Sequence, residues 1–235
     1  MDFAYNLGSN GTPLVRKYQV GVGSFANPGV LAKVAAAGGY GVIATTTTAC
    51  ANALGLGLEA VTVQTAQQSD GSDPARYISI IINPDAVIKA RCCGSATAGT
   101  AITDYAETAG DTAGVTVTAA GLVSADEGTV VCSSGANAGA MRENITGGSG
   151  SAVAGVAFKN DIAIGDRFFT LPFSVLKAQT VKLVTLLYEV DQSAAVATNE
   201  VAYQPIEIKL GQPPSEILTD TYVCLVATDH LYASS

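Results

Sequence analysis

The chain is predicted to be all-β, and three features carry the prediction. Its apolar runs are short and dominated by Val, Ile, Tyr and Thr, with Gly or Pro at the joints. VKLVTLLYEV and PIEIKL alternate apolar with polar residues, as strands with one solvated face do. Residues 134–173 set Gly135, Gly139, Gly147, Gly148, Gly150, Gly155 and Gly165 among short alternating runs, a pattern of small strands joined by turns that need φ > 0. With 235 residues, one large β domain or two small ones can bury a core that needs no disulfide staples.

Three parts follow along the chain. Residues 1–93 form an N-terminal β-rich region containing RKYQVGVGSF, GVLAKVAAAGGYGVIATTTT, GLGLEAVTVQTA and ARYISIIINPDAVIKARCC. Gly38-Gly39 reads as a hairpin turn that pairs LAKVAAA with YGVIATT antiparallel. LAKVAAA also suits a short helix, but its flanking Gly and β-branched neighbours favour strand. TTTTACANALGLGLEA is ambiguous: Thr46 or Thr48 is placed to cap one helical turn through Ala53, with Gly55 to end it. QQSDGSDPAR reads as an exposed loop, because Asp70-Gly71 and Asp73-Pro74 are turn dipeptides. YISIIIN is nearly continuous apolar strand, which implies burial on both faces, and Asn83-Pro84-Asp85 breaks it before AVIKARC.

Residues 94–128 are poor in large apolar side chains and rich in Thr, Ala and Gly. They read as an inserted flap or a weak strand pair around GVTVTA, and mobility is expected there. Residues 129–235 form a C-terminal β-rich region, which one compact domain could share with the N-terminal part. Its strands are TVVCSS, MRENIT, AVAGVAF, DRFFTLPF, TVKLVTLLYEV, EVAYQPIEIKL and TYVCLVAT. Alternation puts Lys182, Glu189, Glu207 and Lys209 on solvated edges or interface rims. No repeat of fixed period is evident.

Hydrophobic residues make up 48% and charged residues 14%, which excludes a disordered chain. Much of the apolar fraction is Ala and Val, suited to shallow sheet packing and to low-charge surfaces that partners cover. A net charge of −8 and a pI near 4.5 argue against gripping nucleic acid, and the bases are scattered from Arg16, Lys17 and Lys33 to Lys89, Arg91, Lys177 and Lys182. MDFAYNLGSNG has neither the basic nor the apolar region of a signal peptide, and no run reaches the roughly 18 apolar residues of a membrane span. A chain made and kept soluble, without a membrane partner, is therefore expected. Its five cysteines, Cys50, Cys92, Cys93, Cys132 and Cys224, are expected to be reduced and mostly buried; the Cys92-Cys93 pair is neither a zinc knuckle nor a C-x-x-C motif.

Little in the sequence carries catalysis. His230 is the only histidine, near the end of the chain, and no G-x-S-x-G elbow precedes it. Asp126 with Glu127, and Asp104 with Glu107, are candidate carboxylate pairs of a glycosidase, but they lie in Thr/Gly/Ala-rich sequence that reads as solvated loop. No Trp is present to stack on a sugar. SDGSD lacks the alternating ligands and closing Glu of a calcium loop. The G-x-G pairs Gly21/Gly23 and Gly55/Gly57 lack the third Gly and following helix of a dinucleotide site, and read as turns or bulges. Asn144-Ile145-Thr146 fits a glycosylation sequon that is not expected to be used. The expectation is a chain that is not an enzyme, with no catalytic residue, cofactor or metal.

Gly135, Asn137, Ala138, Gly139 and Arg142, followed by Ile164, Gly165, Asp166 and Phe168, form a G-x-N-A-G-x-x-R turn and strand and an I-G-D-x-F turn. This pattern resembles one in structural proteins of tailed bacteriophages, in particular capsid decoration (cement) proteins. FANPGVLAKVAAAGGYGVIATTTTACANALGLGLEA is similar in rhythm to the same proteins through Gly29-Val30 and Gly41-Val42-Ile43, with Gly57, Leu58, Glu59 and Ala60 in the closing strand. Residues 81–103 look like the entry to their insert. The resemblance implies a β-barrel or β-sandwich of antiparallel strands with a Thr/Gly/Ala-rich insert. It also implies a homotrimer or homodimer attached to the major capsid protein on the outer surface of a virion, and it brings no catalytic residue or cofactor.

The expected function is to cement the capsid shell by bridging its subunits. Alternatives are a tail tube or head-fibre subunit, or a carbohydrate-binding module, against which the missing Trp and lone His count. Interface residues are expected on the turns at residues 137–142 and 161–169, namely Asn137, Arg142, Asp166 and Phe168, with Arg142 pairing a partner carboxylate. The competing reading is that these turns merely close a barrel and Arg142 caps a loop carbonyl.

Overall fold

The computed structural model describes residues 2–6, 12–20, 23–25, 28–29, 31–34, 41–43, 53–64, 76–83, 85–95, 99–122, 128–146, 148–172, 176–181, 185–193 and 203–227. In chain order the strands begin with β1 (Asp2–Asn6), β2 (Val15–Gln19), β3 (Gly23–Phe25), β4 (Leu31–Val34) and β5 (Gly41–Ile43). Next come β6 (Ala53–Gly57), β7 (Val61–Gln64), β8 (Tyr77–Ile81), β9 (Ala86–Cys93) and β10 (Tyr105–Ala106). They continue as β11 (Thr116–Thr118), β12 (Gly128–Cys132), β13 (Met141–Thr146), β14 (Ser151–Ala154) and β15 (Arg167–Pro172). The last are β16 (Leu176–Val181), β17 (Thr185–Asp191), β18 (Tyr203–Lys209) and β19 (Tyr222–Ala227). The fold is all-β; the one helical element among the described residues is a 3₁₀ turn at Pro214–Glu216.

Three larger sheets form. One runs β2-β8-β6-β4-β5, a second β10-β15-β12-β13-β14-β11, and a third β16-β17-β9-β19-β18, with β1 also paired to β9. A separate hairpin pairs β3 with β7. Among the described residues, pairing is antiparallel except where β17 meets β9, Val190 opposite Cys92, and at a bridge between Val20 and Gly41. The expected pairing of LAKV with GVI is present, with Lys33 opposite Val42; its turn glycines Gly38 and Gly39 lie outside the described residues.

The segment expected as an insert, residues 94–128, supplies β10 and β11, the two edge strands of the second sheet. That sheet curls until these edges meet, with the Thr108 N–H donating to the Thr118 carbonyl at 2.9 Å. Strands β16 to β19 of the expected C-terminal region build one sheet with β9 of the N-terminal part, through β17 and β19.

The pair β12–β15 is buried on both faces. Inside the curl, Val130, Cys132 and Phe168 pack with Val117, Leu122, Ala152, Phe158 and Ile162, the rings of Phe158 and Phe168 meeting edge to face at 5.7 Å. On the other face Val131, Phe169 and Leu171 join a larger core with Ile78, Ile80, Ile88, Val223 and Leu225 from the other two sheets. Each buried Phe or Leu contributes about 1.5–3 kcal/mol by leaving water.

Several expectations change. No helical turn ends at Gly55: it lies inside β6, and a Cβ there would sit 1.8 Å from the Ile81 carbonyl oxygen. The backbone takes φ +137 beside a bulge opposite Ala32 and Lys33, so glycine serves a close strand approach and not a helix cap. Thr46 and Thr48 are outside the described residues. The strand expected to close on Gly57, Leu58, Glu59 and Ala60 stops at Gly57, and the next three residues connect to β7. The run YISIIIN keeps its expected burial on both faces, with Ile80, Ile81 and Ile82 buried in succession, and only Tyr77 at its start is strongly exposed, at 54%.

Glu189 is not on a solvated rim; it is buried, accepts the Gly99 N–H at 3.0 Å and lies 3.8 Å from Arg91. Glu207 and Lys209 are partly exposed and paired at 3.6 Å, and Lys182 is outside the described residues. Cys92, Cys93, Cys132 and Cys224 are buried thiols that form no disulfide. Burial pushes the Cys132 thiol up to about 12 and raises that of Cys92 as well. Cys50 lies outside the described residues.

Gly55→Ala is expected to lower the unfolding free energy by roughly 2 kcal/mol or more, since a methyl meets a backbone oxygen at a disfavoured φ. Urea denaturation of the two proteins measures it.

Candidate functional site

One end of the curled sheet is made of three interlocked turns: residues 107–115 after β10, residues 133–140 between β12 and β13, and residues 155–166 between β14 and β15. All three resolve the same problem. Backbone that leaves a strand must find partners for its N–H and C=O groups, and here short polar side chains supply them.

Glu107 is 1% exposed, and its Oε1 accepts the N–H groups of Thr108, Ala109 and Gly110 at 3.1, 2.9 and 3.0 Å. Its Oε2 reaches across to the Thr118 N–H at 2.6 Å. Asp111 does the same one turn later, accepting from Ala113, Val115 and Thr116 at 2.9, 2.9 and 2.7 Å. The N–H of Thr116, then those of Ala113 and Val115, hold the Asp111 carboxyl below its ordinary range. The backbone of Asp111 also exchanges hydrogen bonds with Ile162 at 2.8 and 2.9 Å, which ties this turn to the one before β15.

Asn137 joins the other two turns. Its Nδ2 donates to the carbonyls of Asn160 and Asp161 at 3.0 and 3.3 Å, and its Oδ1 accepts the Asn160 N–H at 3.0 Å. Asp166 accepts the Ala163 N–H through Oδ2 at 3.0 Å, closing its own turn. Gly135 lies against that carboxylate: a Cβ would stand 1.9 Å from Asp166 Oδ1, and φ is +83. Ser133 donates to Asp104 Oδ2 at 2.6 Å, and Arg167 holds Asp104 Oδ1 through Nε at 2.8 Å. The hydrogen bond to Asp104, helped by its charge, raises the Arg167 pKa further.

Of the four residues expected at an interface, Asn137, Asp166 and Phe168 are buried and Arg142 is half-buried. Asn137 and Asp166 are 4% and 8% exposed and hold turns, and Phe168 is fully buried in the core of the curl. Arg142 donates through Nε to the Ala157 carbonyl at 3.0 Å and through a terminal nitrogen to the Met141 carbonyl at 2.8 Å, with its guanidinium 5.2 Å from the Phe158 ring centre. The alternative reading, a turn closed by Arg142 on a loop carbonyl, is the observed arrangement. This end presents two large aliphatic side chains to solvent, Val156 and Ile164 at 70% and 71% exposed, beside the exposed Lys159, Asn160 and Asp161.

Asp104 and Glu107 are not a solvated loop. Both are buried, each held by its own partners, Ser133 and Arg167 for one and backbone N–H groups for the other. Asn144 of the sequon is 1% exposed and accepts the Val153 N–H at 3.0 Å. Asp126, Glu127, Asp70, Asp73 and His230 lie outside the described residues.

Sequence reasoning missed the tandem E-T-A-G, D-T-A-G of residues 107–114, although it was legible. Each acid precedes a Gly with positive φ, +76 at Gly110 and +68 at Gly114, the signature of a carboxylate wrapped by the following backbone.

A cavity of about 420 Å³ opens beside this end, between Ser133, Ser134, Ala138 and Gly139 on one side and Leu210, Gln212, Pro214 and Ile217 on the other. Ser133 is 1% exposed and engaged by Asp104, so its hydroxyl is a structural donor and not a presented nucleophile. Among the described residues no group of three or more His, Cys, Asp or Glu stands together as metal ligands.

Asn137→Ala is expected to cost about 2–3 kcal/mol, because it leaves the Asn160 and Asp161 backbone groups without their partner. Thermal unfolding followed by circular dichroism checks it. Comparison of the chain with protein-family models, with curated proteins and with solved structures finds no match.

Proposed function

We propose that this chain is a structural protein of a virion, one that decorates and cements a capsid shell by bridging copies of the major capsid protein. The observation that carries the reading is the interlocking of the two halves of the motif that resembles phage decoration proteins. Gly135 and Asn137 from the first half pack on Asp166 and on the turn at Asn160 and Asp161, which leads into the second. The resemblance therefore falls on one built structural unit and not on scattered glycines.

Two further features support it. The turns are preorganised by buried hydrogen bonds, so little order has to be gained on docking, and they present Val156 and Ile164 as aliphatic contacts. A net charge of −8 suits an outer surface more than contact with packaged nucleic acid. Cementing needs no chemistry: many weak joints on one lattice act together, and preference for one lattice state stabilises that state by linkage. Closed homotrimers or homodimers suit lattice symmetry axes.

Quantitative mass spectrometry of density-purified particles tests the reading. A ratio to the most abundant shell protein near one, or a simple fraction of it, is expected; a few copies per particle indicates a tail or fibre subunit, and absence overturns the virion reading. Ile164→Asp together with Val156→Asp is expected to leave the circular dichroism spectrum unchanged and to lower the copy number on particles by about tenfold or more.

A further inference from the structure

The curled sheet is held together unevenly around its circumference. Five residue pairs join β12 to β15 and four join β12 to β13 in continuous antiparallel ladders. Where β10 meets β11, the described residues show one backbone hydrogen bond, Thr108 N–H to the Thr118 carbonyl at 2.9 Å, backed by the Thr108 hydroxyl at 3.0 Å. The return contact, where a ladder would use a carbonyl, is made by the Glu107 carboxylate on the Thr118 N–H at 2.6 Å. On the far side of Glu107 the same carboxylate fixes three consecutive N–H groups, and Asp111 fixes three more, ending at Thr116, the first residue of β11.

We propose that the β10–β11 seam is a carboxylate latch: Glu107 and Asp111, in place of a strand ladder, keep the curl shut, so neutralising them opens it along this line while the rest of the fold stays closed. Protonation turns a carboxylate that accepts several N–H groups into a group with one O–H donor, which cannot satisfy the same backbone. For Asp111 the direction of the pH effect follows from its lowered pKa. A carboxyl held below its unfolded value stabilises the fold at higher pH, and that contribution is lost as pH falls through the folded value.

Three of the other charged groups on the elements around the seam have partners. Asp104 and Arg167 are paired at 2.6 Å on the β10 and β15 side, and Asp166 is closed on the Ala163 N–H. Lys159 and Asp161 lie on the turn after β14, while β11 and β14 carry no charge. Opening would expose the small core that holds Val117, Leu122 and Phe168 and leave the larger core, built on β8, β9 and β19, intact.

Amide hydrogen exchange of the full chain, followed by NMR and corrected for intrinsic rates, tests the latch between about pH 7 and about pH 2.5. Protection at Gly110, Thr116 and Thr118 is expected to fall about tenfold or more before that of Val223 and Leu225 on β19 changes. Simultaneous loss at both places, or loss at β19 first, overturns the proposal. Glu107→Gln is expected to reproduce the low protection of Thr118 at neutral pH. Should that variant not fold, Asp111→Asn serves: selective loss at Ala113, Val115 and Thr116 at neutral pH supports the latch, and unchanged protection there overturns it.

Discussion

The rest of the structure depends on the two-sided burial of the pair β12–β15. GTVVC in β12 is buried at every position, a demand met only where both faces of a strand are covered. Alternate residues serve different cores, Val130 and Cys132 facing into the curl and Val131 facing the other sheets. In β15, Phe168 and Phe169 are consecutive and fully buried on opposite faces. Because the side-chain period of a strand is two, a register slip of one residue would exchange the two cores' contents and is strongly disfavoured.

That arrangement leaves the curl with a cost at its ends. A short, tightly curved sheet must leave its strands abruptly, and the backbone there has no ladder to join. The chain answers with carboxylates and amides of short reach: Glu107, Asp111, Asn137 and Asp166 each bind backbone close by or across one turn. Glu107, Asn137 and Asp166 are buried with their partners satisfied, so their polarity is not a penalty, while Asp111 does the same work nearer the surface. The acids so used are turned to backbone, and the large apolar side chains left exposed at this end are Val156 and Ile164, beside Lys159 and Asp161.

The strands themselves were largely legible, since β-branched runs bounded by Gly and Pro have few other uses; β8 and β9 fall where YISII and AVIKARCC mark them. The alternation in PIEIKL likewise anticipated the exposed Glu207–Lys209 pair. Around Ala53 the reading is ambiguous because Ala and Leu favour helix while Gly interrupts it, and the outcome depends on Ile81 approaching Gly55 from a distant strand. Glu189 was misplaced for a related reason: alternation assigns a face, but whether that face meets solvent depends on Arg91 and Gly99, far away in the chain.

At the candidate site the division is sharper. Residue type alone marked the described part of residues 134–172 as strands and glycine turns, and Gly135, Gly139, Gly150 and Gly165 take the φ > 0 that such turns call for. The direction of each polar side chain was decided by the tertiary structure. Asn137 and Asn160 are 23 residues apart, and Glu107 and Thr118 are 11 apart, so these hydrogen bonds exist only once the sheet has curled. A local pattern can name a turn and its donors and acceptors, but burial and partner are properties of the closed fold.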